Sequence, residues 1–254
     1  MMKRWSIFTL MILAASVCSA QDSTQTQDRW EFLVEPYLMF PNMKGTAGIG
    51  LAPDGEVNAG IGDIFDRLQA GFMLYGEARN GAWALSSDFL YMNLKQDAVP
   101  SQTIYSGTVS VAEMAWELAG LKKILPWLEG GIGARLVSLK AEMEFLRNQV
   151  GERTTGHEES GRQTWVDPLL VVRMKLPDSG SWLLQFRGDI GGFGIGSELT
   201  WQIQAYGGYR FSDLFQVTAG YRAFGIDYEE GVEQERFVYN VTTFGPVVRL
   251  GFNL

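Results

Sequence analysis

The sequence predicts an all-β protein, an antiparallel up-and-down transmembrane β-barrel of about ten strands, within a range of about eight to twelve. Three observations support this fold class. Hydrophobic residues recur with a period of two, tight turns alternate with long polar connections, and the chain lacks the several apolar runs of about 20 residues that a helical membrane bundle needs. The aromatic residues, which make up 13% of the chain, and the branched aliphatic residues suffice for a core and exclude a disordered chain.

The beginning of the chain has the order of segments typical of a secretory signal peptide. A basic start is followed by a mostly apolar stretch and then by small residues up to Ala20. We therefore expect residues 1–20 to be a signal peptide. The polar residues 21–29 are expected to form a flexible lead-in, and residues 30–254 the barrel itself.

Cysteine content and charge restrict the functional classes further. The one cysteine, Cys18, lies within the predicted signal peptide, so a disulfide scaffold is excluded. Lipidation of Cys18 is an alternative that the bulky Val17 before it disfavours. The formal net charge of −8 argues against nucleic acid as a partner, because nucleic-acid binding needs clustered basic residues.

The strand assignments depend on strict alternation of apolar and polar residues. Leu184 and Phe186, for example, fall on one face of a strand, whereas Arg187 and Asp189 fall on the other. The sequence predicts strands at 30–40, 69–79, 82–95, 106–121, 126–145, 164–176, 181–190, 199–211, 214–228 and 236–254.

The connections between these strands alternate in length. Asn80 and Gly81 form a tight hairpin signal, because both residue types tolerate positive φ. The longest connection, 41–68, has room for one more hairpin and for one helical turn at Asp63 to Leu68. Short turns at one end and long loops at the other are typical of an outer-membrane barrel, in which closure removes the exposed strand edges.

A soluble lipocalin-like barrel or a sandwich is the alternative, with the apolar face of each strand directed inward. Two observations favour the membrane orientation. The polar faces carry charges of both signs in the middle of strands, where a soluble core would carry none. Tryptophans also recur near strand ends, as interfacial girdles require. These are Trp30, Trp83, Trp127, Trp165, Trp182 and Trp201.

The last predicted strand resembles the assembly signal of Gram-negative outer-membrane β-barrels. It contains Gly245, then alternating apolar residues, and ends on Leu254 where Phe is usual. The chain thus resembles a small outer-membrane barrel, similar in the broad sense to OmpA and OmpW. The resemblance implies location in the outer membrane, contact with membrane lipids and lipopolysaccharide, and recognition of this strand by the barrel-assembly machinery. The stretches 165–168 and 188–197 resemble a group of such proteins and imply architecture but no activity.

The polar faces of the strands supply a predicted lumen-lining charge network. Charges inside a narrow barrel are costly unless they are paired, so we expect ion pairs between strands. Such a lumen is either a closed polar plug or a narrow channel for small solutes. The network residues are Glu77, Arg79, Asp88, Glu117, Glu129, Arg135, Asp167, Arg173, Arg187, Asp189, Arg222 and Arg249, with Glu113 and Lys175 as further lumen candidates.

Catalytic chemistry has weaker signals in this sequence. Asp167 and Asp189 are a carboxylate pair, but arginines nearby should keep both ionised, which suits a structural role better than acid–base catalysis. His157 lies in a polar segment that we expect to be a solvated loop, and one histidine does not make a zinc site. The acidic segment 227–235 is expected to be solvated, with bridging of divalent cations to lipopolysaccharide as the alternative.

These observations lead to one functional hypothesis and two alternatives. We expect an outer-membrane barrel with a polar, charge-paired lumen, either structural or a narrow, porin-like channel for small solutes. The alternatives are an outer-membrane enzyme acting on lipid or peptide, and a loop-mediated surface-binding protein. The sequence favours a non-enzymatic role without deciding it, and it predicts no catalytic residue, no cofactor and no metal site.

Overall fold

The computed structural model describes residues 29–50, 54–97, 104–147, 155–176 and 180–254. The predicted signal peptide and all of the lead-in but Arg29 lie outside these residues. A helix, Ile61–Arg67 (α1), and a 3-10 turn, Glu233–Glu235, accompany the strands. The strands are Glu31–Met39 (β1), Asn42–Ile49 (β2), Gly55–Ala59 (β3), Leu68–Asn80 (β4), Trp83–Asp97 (β5), Ile104–Leu125 (β6), Leu128–Arg147 (β7), Thr155–Lys175 (β8), Trp182–Gly192 (β9), Leu199–Arg210 (β10), Phe215–Glu230 (β11) and Phe237–Asn253 (β12).

The protein is a closed antiparallel barrel, as the sequence predicts. Strands β1 and β4 to β12 pair in chain order, and β1 closes the ring by pairing with β12. The ten predicted segments correspond to these ten strands. The further hairpin expected in the longest connection is also present as β2 and β3. These strands extend the sheet beside Phe237 to Phe244 of β12 and do not enter the ring.

The two ends of the barrel differ in their connections. We call the end with the turns between β4 and β5, β6 and β7, β8 and β9, and β10 and β11 the short-turn end, and the opposite end the long-loop end. Gly81, in the first of these turns, has a φ of +53°, which explains the predicted Asn-Gly signal. The predicted helical turn corresponds to α1. Among the described residues, no helix is long and apolar enough to span a membrane.

The barrel is oriented with its apolar faces outward. Leu184 and Phe186 on β9 are 38% and 44% exposed, whereas Arg187 and Asp189 on the same strand are 3% and 7% exposed. Exposed apolar side chains recur around all of the ring, which is the arrangement that lipid stabilises and water does not. The predicted girdle at the short-turn end is present as the exposed tryptophans Trp30, Trp83, Trp127 and Trp182.

Two predictions in the region of β8 are wrong. The strand begins at Thr155, so much of the predicted loop 146–163 is strand, and the backbone of His157 pairs with Phe145 of β7. Trp165 was expected in the outer girdle, but it is 6% exposed and stacks inside the barrel on Tyr228, with ring centroids 3.8 Å apart. The reason is the alternation of side chains along the strand, because Trp165 lies on the same face as the buried Asp167 and not on the face of the exposed Val166.

Candidate functional site in the barrel lumen

The first of three charged clusters in the lumen is built around Glu77 and lies nearest to the short-turn end. Arg173, which is 0% exposed, forms ion pairs with Glu77 and, at 2.5 Å, with Glu129. Arg79 bridges the same carboxylates at 2.9 and 2.6 Å, and Lys175 approaches Glu77 at 3.2 Å. We call these five residues the Glu77 cluster. Each of the three cations thus contacts at least one of the two carboxylates, and the cluster has one more positive than negative charge.

The second cluster connects four strands across the lumen. Arg135 of β7 donates to Glu117 of β6 at 2.7 Å and to Asp189 of β9 at 2.6 Å. Arg187 pairs with Glu117 from the other side, and Gln202 of β10 donates to Asp189 at 2.8 Å. These five residues form the Glu117 cluster, and all of them are buried. Each carboxylate therefore receives charged or amide donors from two other strands, which offsets its desolvation.

The third cluster brings the closing strands β1 and β12 into the network. Tyr37 of β1 donates to Asp88 of β5 at 2.6 Å, and Arg222 of β11 pairs with Asp88 at 3.3 Å. Arg249 of β12 pairs with Glu35 of β1 at 3.3 Å and lies 3.8 Å from Asp88. These residues form the Asp88 cluster.

Aromatic rings surround the Asp88 cluster. The guanidinium of Arg249 lies 4.2 Å from the ring centroid of Tyr206 and 4.9 Å from that of Tyr75. It also donates to the Tyr206 hydroxyl at 3.0 Å. Cation–π contacts of this kind stabilise a desolvated cation by about 2 kcal/mol. The ring faces therefore supplement the carboxylates as partners of this buried charge.

A cavity of about 760 Å³ opens at the short-turn end. Trp30, Trp127 and Leu254 line its rim, and Glu77 and Arg249 are among the residues at its inner end. The vestibule, as we call this cavity, therefore brings solvent to the edge of the Glu77 and Asp88 clusters. The side chains inside the clusters are nevertheless buried, since Arg173 and Arg249 are 0% and 1% exposed.

Toward the long-loop end, the interior changes from charged to apolar. A cluster of buried side chains, including Val137, Leu139 and Ile226, packs around the stacked rings of Trp165 and Tyr228. Ile64 of α1 belongs to this cluster and is 1% exposed, so the helix is fastened into the barrel mouth. The lumen is thus filled by ion pairs at one level and by packed hydrophobic side chains at the next.

The structure separates the two aspartates that the sequence suggested as a pair. Asp189 belongs to the Glu117 cluster, whereas Asp167 accepts from the backbone amide of Ser197 at 2.6 Å and from the indole of Trp165 at 3.1 Å. Asp167 is 0% exposed and holds the turn between β9 and β10, in which Gly192 and Phe193 have positive φ. Its geometry is that of a loop anchor, not of an acid–base partner for Asp189.

The structure places the predicted network residues inside the barrel and adds others. Eleven of the twelve are buried, and Arg79 is half-buried. Glu113, a further lumen candidate, is 3% exposed and has Tyr239 as a long hydrogen-bond donor, at 3.4 Å. The additions are Glu35, Tyr37, Tyr75, Gln202, Tyr206 and Gln216.

At the long-loop end, an exposed ion pair ties the β2–β3 hairpin to the ring. Arg236 donates to both carboxylate oxygens of Asp54, at 2.7 and 3.1 Å, and to Glu229 at 3.1 Å. The hydrogen bonds from Arg236 hold the pKa of the Asp54 carboxyl below its ordinary value. Part of the acidic segment 227–235 is thus paired. Among the described residues, no group of three or more potential protein ligands is arranged around a metal position.

Comparisons with known proteins return structures but no sequence relatives. Neither a protein-family model nor a curated protein sequence matches the chain. The fold is similar to the outer membrane protease OmpT from Escherichia coli, with a TM-score of 0.46, 8% identity, and 89% of this chain and 97% of that chain covered.

Two further solved structures are similar at lower scores. One is Ail, the attachment invasion locus protein of Yersinia pestis, with a TM-score of 0.38, 8% identity and coverage of 89% of this chain and 98% of that chain. The other is the toluene transporter TodX of Pseudomonas putida, with a TM-score of 0.32, 8% identity and coverage of 89% and 90%. We assign no function from these similarities.

Proposed function

We propose that the protein is an exported outer-membrane barrel whose charge-paired lumen is a structural plug that does not conduct ions. The observation that supports this most directly is the burial of paired cations in the middle of the barrel, with Arg173 and Arg249 at 0% and 1% exposure. A water-filled pore would hydrate such side chains. Here carboxylates and aromatic rings replace the water, as they must when charges are desolvated.

The outer surface supports insertion of this barrel in a membrane. An apolar belt surrounds the ring, and β12 closes it, with the amide of Leu254 donating to the carbonyl of Phe32 at 2.8 Å. We propose that membrane lipids contact the belt, that lipopolysaccharide contacts the long-loop end, and that the barrel-assembly machinery recognises β12. Because β12 pairs with β1, neither strand has an unpaired edge at the level of the hydrogen bond between Leu254 and Phe32. Lipid offers no hydrogen-bond partner to a strand edge, so a barrel in a membrane needs this closure.

Conductance across planar lipid bilayers tests the plug. Folded protein, verified by heat-modifiable migration on a gel, should give no stepwise currents, whereas a porin inserted in parallel should. The Arg187→Ala variant removes one partner of Glu117. It should be less stable because it leaves a buried carboxylate with fewer donors, and it should still be silent because the apolar layer at the long-loop end remains.

A narrow channel for small solutes is the second candidate, and the vestibule favours it. The vestibule brings solvent from the short-turn end as far as Tyr206 and Arg249. Passage beyond that level would require rearrangement of the Asp88 cluster. Stepwise currents in the unmodified protein, altered in size or frequency by Arg187→Ala, would support the channel and contradict the plug.

A further inference from the structure

The pairing of β1 with its neighbours leaves a lateral gap in the barrel wall. Strand β1 pairs with β4 only from Glu31 to Pro36, where the partners are Arg79 and Leu74. Beyond Pro36, which has no amide hydrogen to donate, β1 pairs with β12 alone. The residues of β4 nearest the long-loop end, from Leu68 to Met73, pair with β5 alone. The walls of the ring therefore diverge between β1 and β4 toward the long-loop end.

Helix α1 covers this gap from above. Its buried side chain, Ile64, packs into the apolar cluster of the barrel mouth. The ring of Phe65 lies 5.6 Å from that of Phe40, at the junction of β1 and β2. Phe65 is nevertheless 38% exposed, so the helix is anchored on its inner side and leaves an apolar side chain at the outer surface.

An apolar cavity of about 80 Å³ lies beneath α1 at this gap. Leu38 and Phe72 form its outer wall, and both belong to the outward-facing apolar belt, at 58% and 54% exposure. Three methionines, Met39, Met73 and Met92, line it on the inner side. No charged side chain lines the cavity, and the hydroxyl of its one tyrosine is engaged with Asp88 and Arg222.

We propose that this cavity binds the hydrocarbon chain of a bilayer lipid, which enters sideways between Leu38 and Phe72. The cavity is continuous with the surface that contacts lipid, so an acyl chain is the molecule that lies at its mouth. Its apolar lining disfavours a headgroup, because a polar group would lose its hydration without gaining a partner. Methionine side chains adapt to irregular apolar ligands, which suits a flexible chain.

The size of the cavity specifies which part of the lipid it takes. A cavity of about 150 Å³ lined by apolar side chains admits benzene. At about 80 Å³, this one accommodates a few carbons at the end of a chain, with the rest of the chain lying against Phe72. The proposal rests on the proposed location of the barrel in a bilayer but not on the proposed closure of the lumen. A negative crosslinking result would therefore overturn lipid binding alone, whereas stepwise currents would overturn the plug alone.

Photo-crosslinking from inside the bilayer tests this proposal. The protein is folded into phosphatidylcholine vesicles that contain a lipid with a diazirine at the terminal carbon of one acyl chain, irradiated, digested and analysed by mass spectrometry. We expect adducts on Met73 and Met92, whose side chains pack against the interior clusters and are out of reach of bulk lipid. A diazirine placed next to the headgroup should leave both methionines unmodified.

The chain offers a matched pair of variants for the same experiment. Gly71 lines the cavity, and a Cβ there would make ordinary contacts with Leu68 and with the carbonyl of Tyr91, at 3.7 to 3.8 Å. Gly71→Leu should therefore fold, fill the cavity and abolish the adducts on the methionines. Gly207→Leu adds the same side chain to the outer face of β10, where no atom lies within 4 Å, and should leave the adducts unchanged.

Three outcomes would overturn the proposal. Adducts of the terminal diazirine confined to outward-facing residues such as Leu38 would show that the cavity does not admit a chain. Equal modification of the methionines by both diazirine positions in the unmodified protein would show non-specific access. Persistence of the adducts in folded Gly71→Leu would place their source elsewhere. The comparison of the two diazirine positions decides the question even where Gly71→Leu fails to fold.

Discussion

Removing the central arginine of the Glu117 cluster should destabilise the barrel strongly. Arg135 donates to Glu117, Asp189 and Thr200 at 2.6 to 2.7 Å and is 2% exposed. Arg135→Met keeps much of the side-chain volume and removes the charge. Hydrogen bonds to charged groups contribute about 1.5–3 kcal/mol each, and breaking a buried ion pair costs about 3–5 kcal/mol.

The structure places the expected loss at the lower end of that range. Glu117 keeps its pair with Arg187, and Asp189 keeps the amide of Gln202. We therefore expect Arg135→Met to lower the free energy of unfolding by about 3 kcal/mol. Urea titration of the protein in lipid vesicles, followed by tryptophan fluorescence and by heat-modifiable migration, measures this loss.

Arg236→Met is the matched control, because it makes the same chemical change at an exposed pair. The Arg236 side chain is 30% exposed, and solvent screens its attraction to Asp54 and Glu229. Its effect on unfolding should be much smaller. Adding Asp189→Asn to Arg135→Met should restore part of the stability, because it removes one of the carboxylates left without its partner. Equal losses in the two single variants would refute the idea that burial makes the network essential.

Three further predictions concern the loop end of the barrel. Asp167→Ala should speed amide exchange in the β9–β10 turn, which loses about 1.5–3 kcal/mol of anchoring, whereas Asp167→Asn, which keeps an acceptor, should do so less. Because the pKa of Asp54 is lowered, its pair with Arg236 should protect the amides of the β2–β3 hairpin from hydrogen exchange above the ordinary pKa of aspartate, about 4. This protection should fall as the pH drops through the lowered pKa of Asp54. Asp54→Asn should abolish the pH dependence of the protection. Ile64→Ala should cost about 2–4 kcal/mol in urea unfolding by leaving a cavity, and Ile61→Ala, at a 36% exposed position, clearly less.

The alternation of residues predicted the ring of strands well because each strand of the ring has an apolar outer face and a polar inner face over part of its length. The predicted strand at 164–176 captured only the second half of β8, however. Its apolar outer residues end at Val166, and Thr164 and Arg162 follow on the same exposed face. A pattern that relies on an apolar outer face cannot detect a strand that continues into water, so the extension and the backbone of His157 within it were assigned to a loop.

The inward-facing members of the lumen network follow from the alternation of residues, and the pairs between adjacent strands follow from the register, but the pairs between non-adjacent strands do not. Arg135 lies opposite Glu117 in the β6–β7 register and bonds to it, as that register predicts. It also lies opposite Asp167 in the β7–β8 register, yet its other carboxylate partner is Asp189 of β9, beyond β8. Such pairs depend on the curvature of the closed barrel, which brings distant strands together. Glu35 was missed even though it shares a face with the buried Tyr37, because it stands beside a proline in a mostly apolar strand.

The level of the membrane can be inferred from one strand. On the outer face of β8 and just beyond its end, exposed apolar residues run from Val166 to Leu176. At about 3.3 Å per residue, this stretch is about 33 Å long. A strand tilt of about 40° reduces it to about 25 Å along the barrel axis, which is the height of the apolar band of an outer-membrane barrel. The Asp88, Glu77 and Glu117 clusters lie on the inner face of this band.

Beyond that level, the polarity of the wall inverts while the period of two continues. The outer face carries the hydrogen bond from Thr164 to Ser138 and the exposed ion pair of Lys140 with Glu142, and the inner face carries Leu139. The same strands therefore form a barrel with an apolar outside and a charged interior at one level, and a barrel with a polar outside and an apolar interior at the next. The surrounding solvent decides which face is apolar, so alternation alone locates strands but not their orientation. The charged residues at mid-strand supplied that orientation, because charges directed into an apolar environment would lose their hydration without gaining a partner.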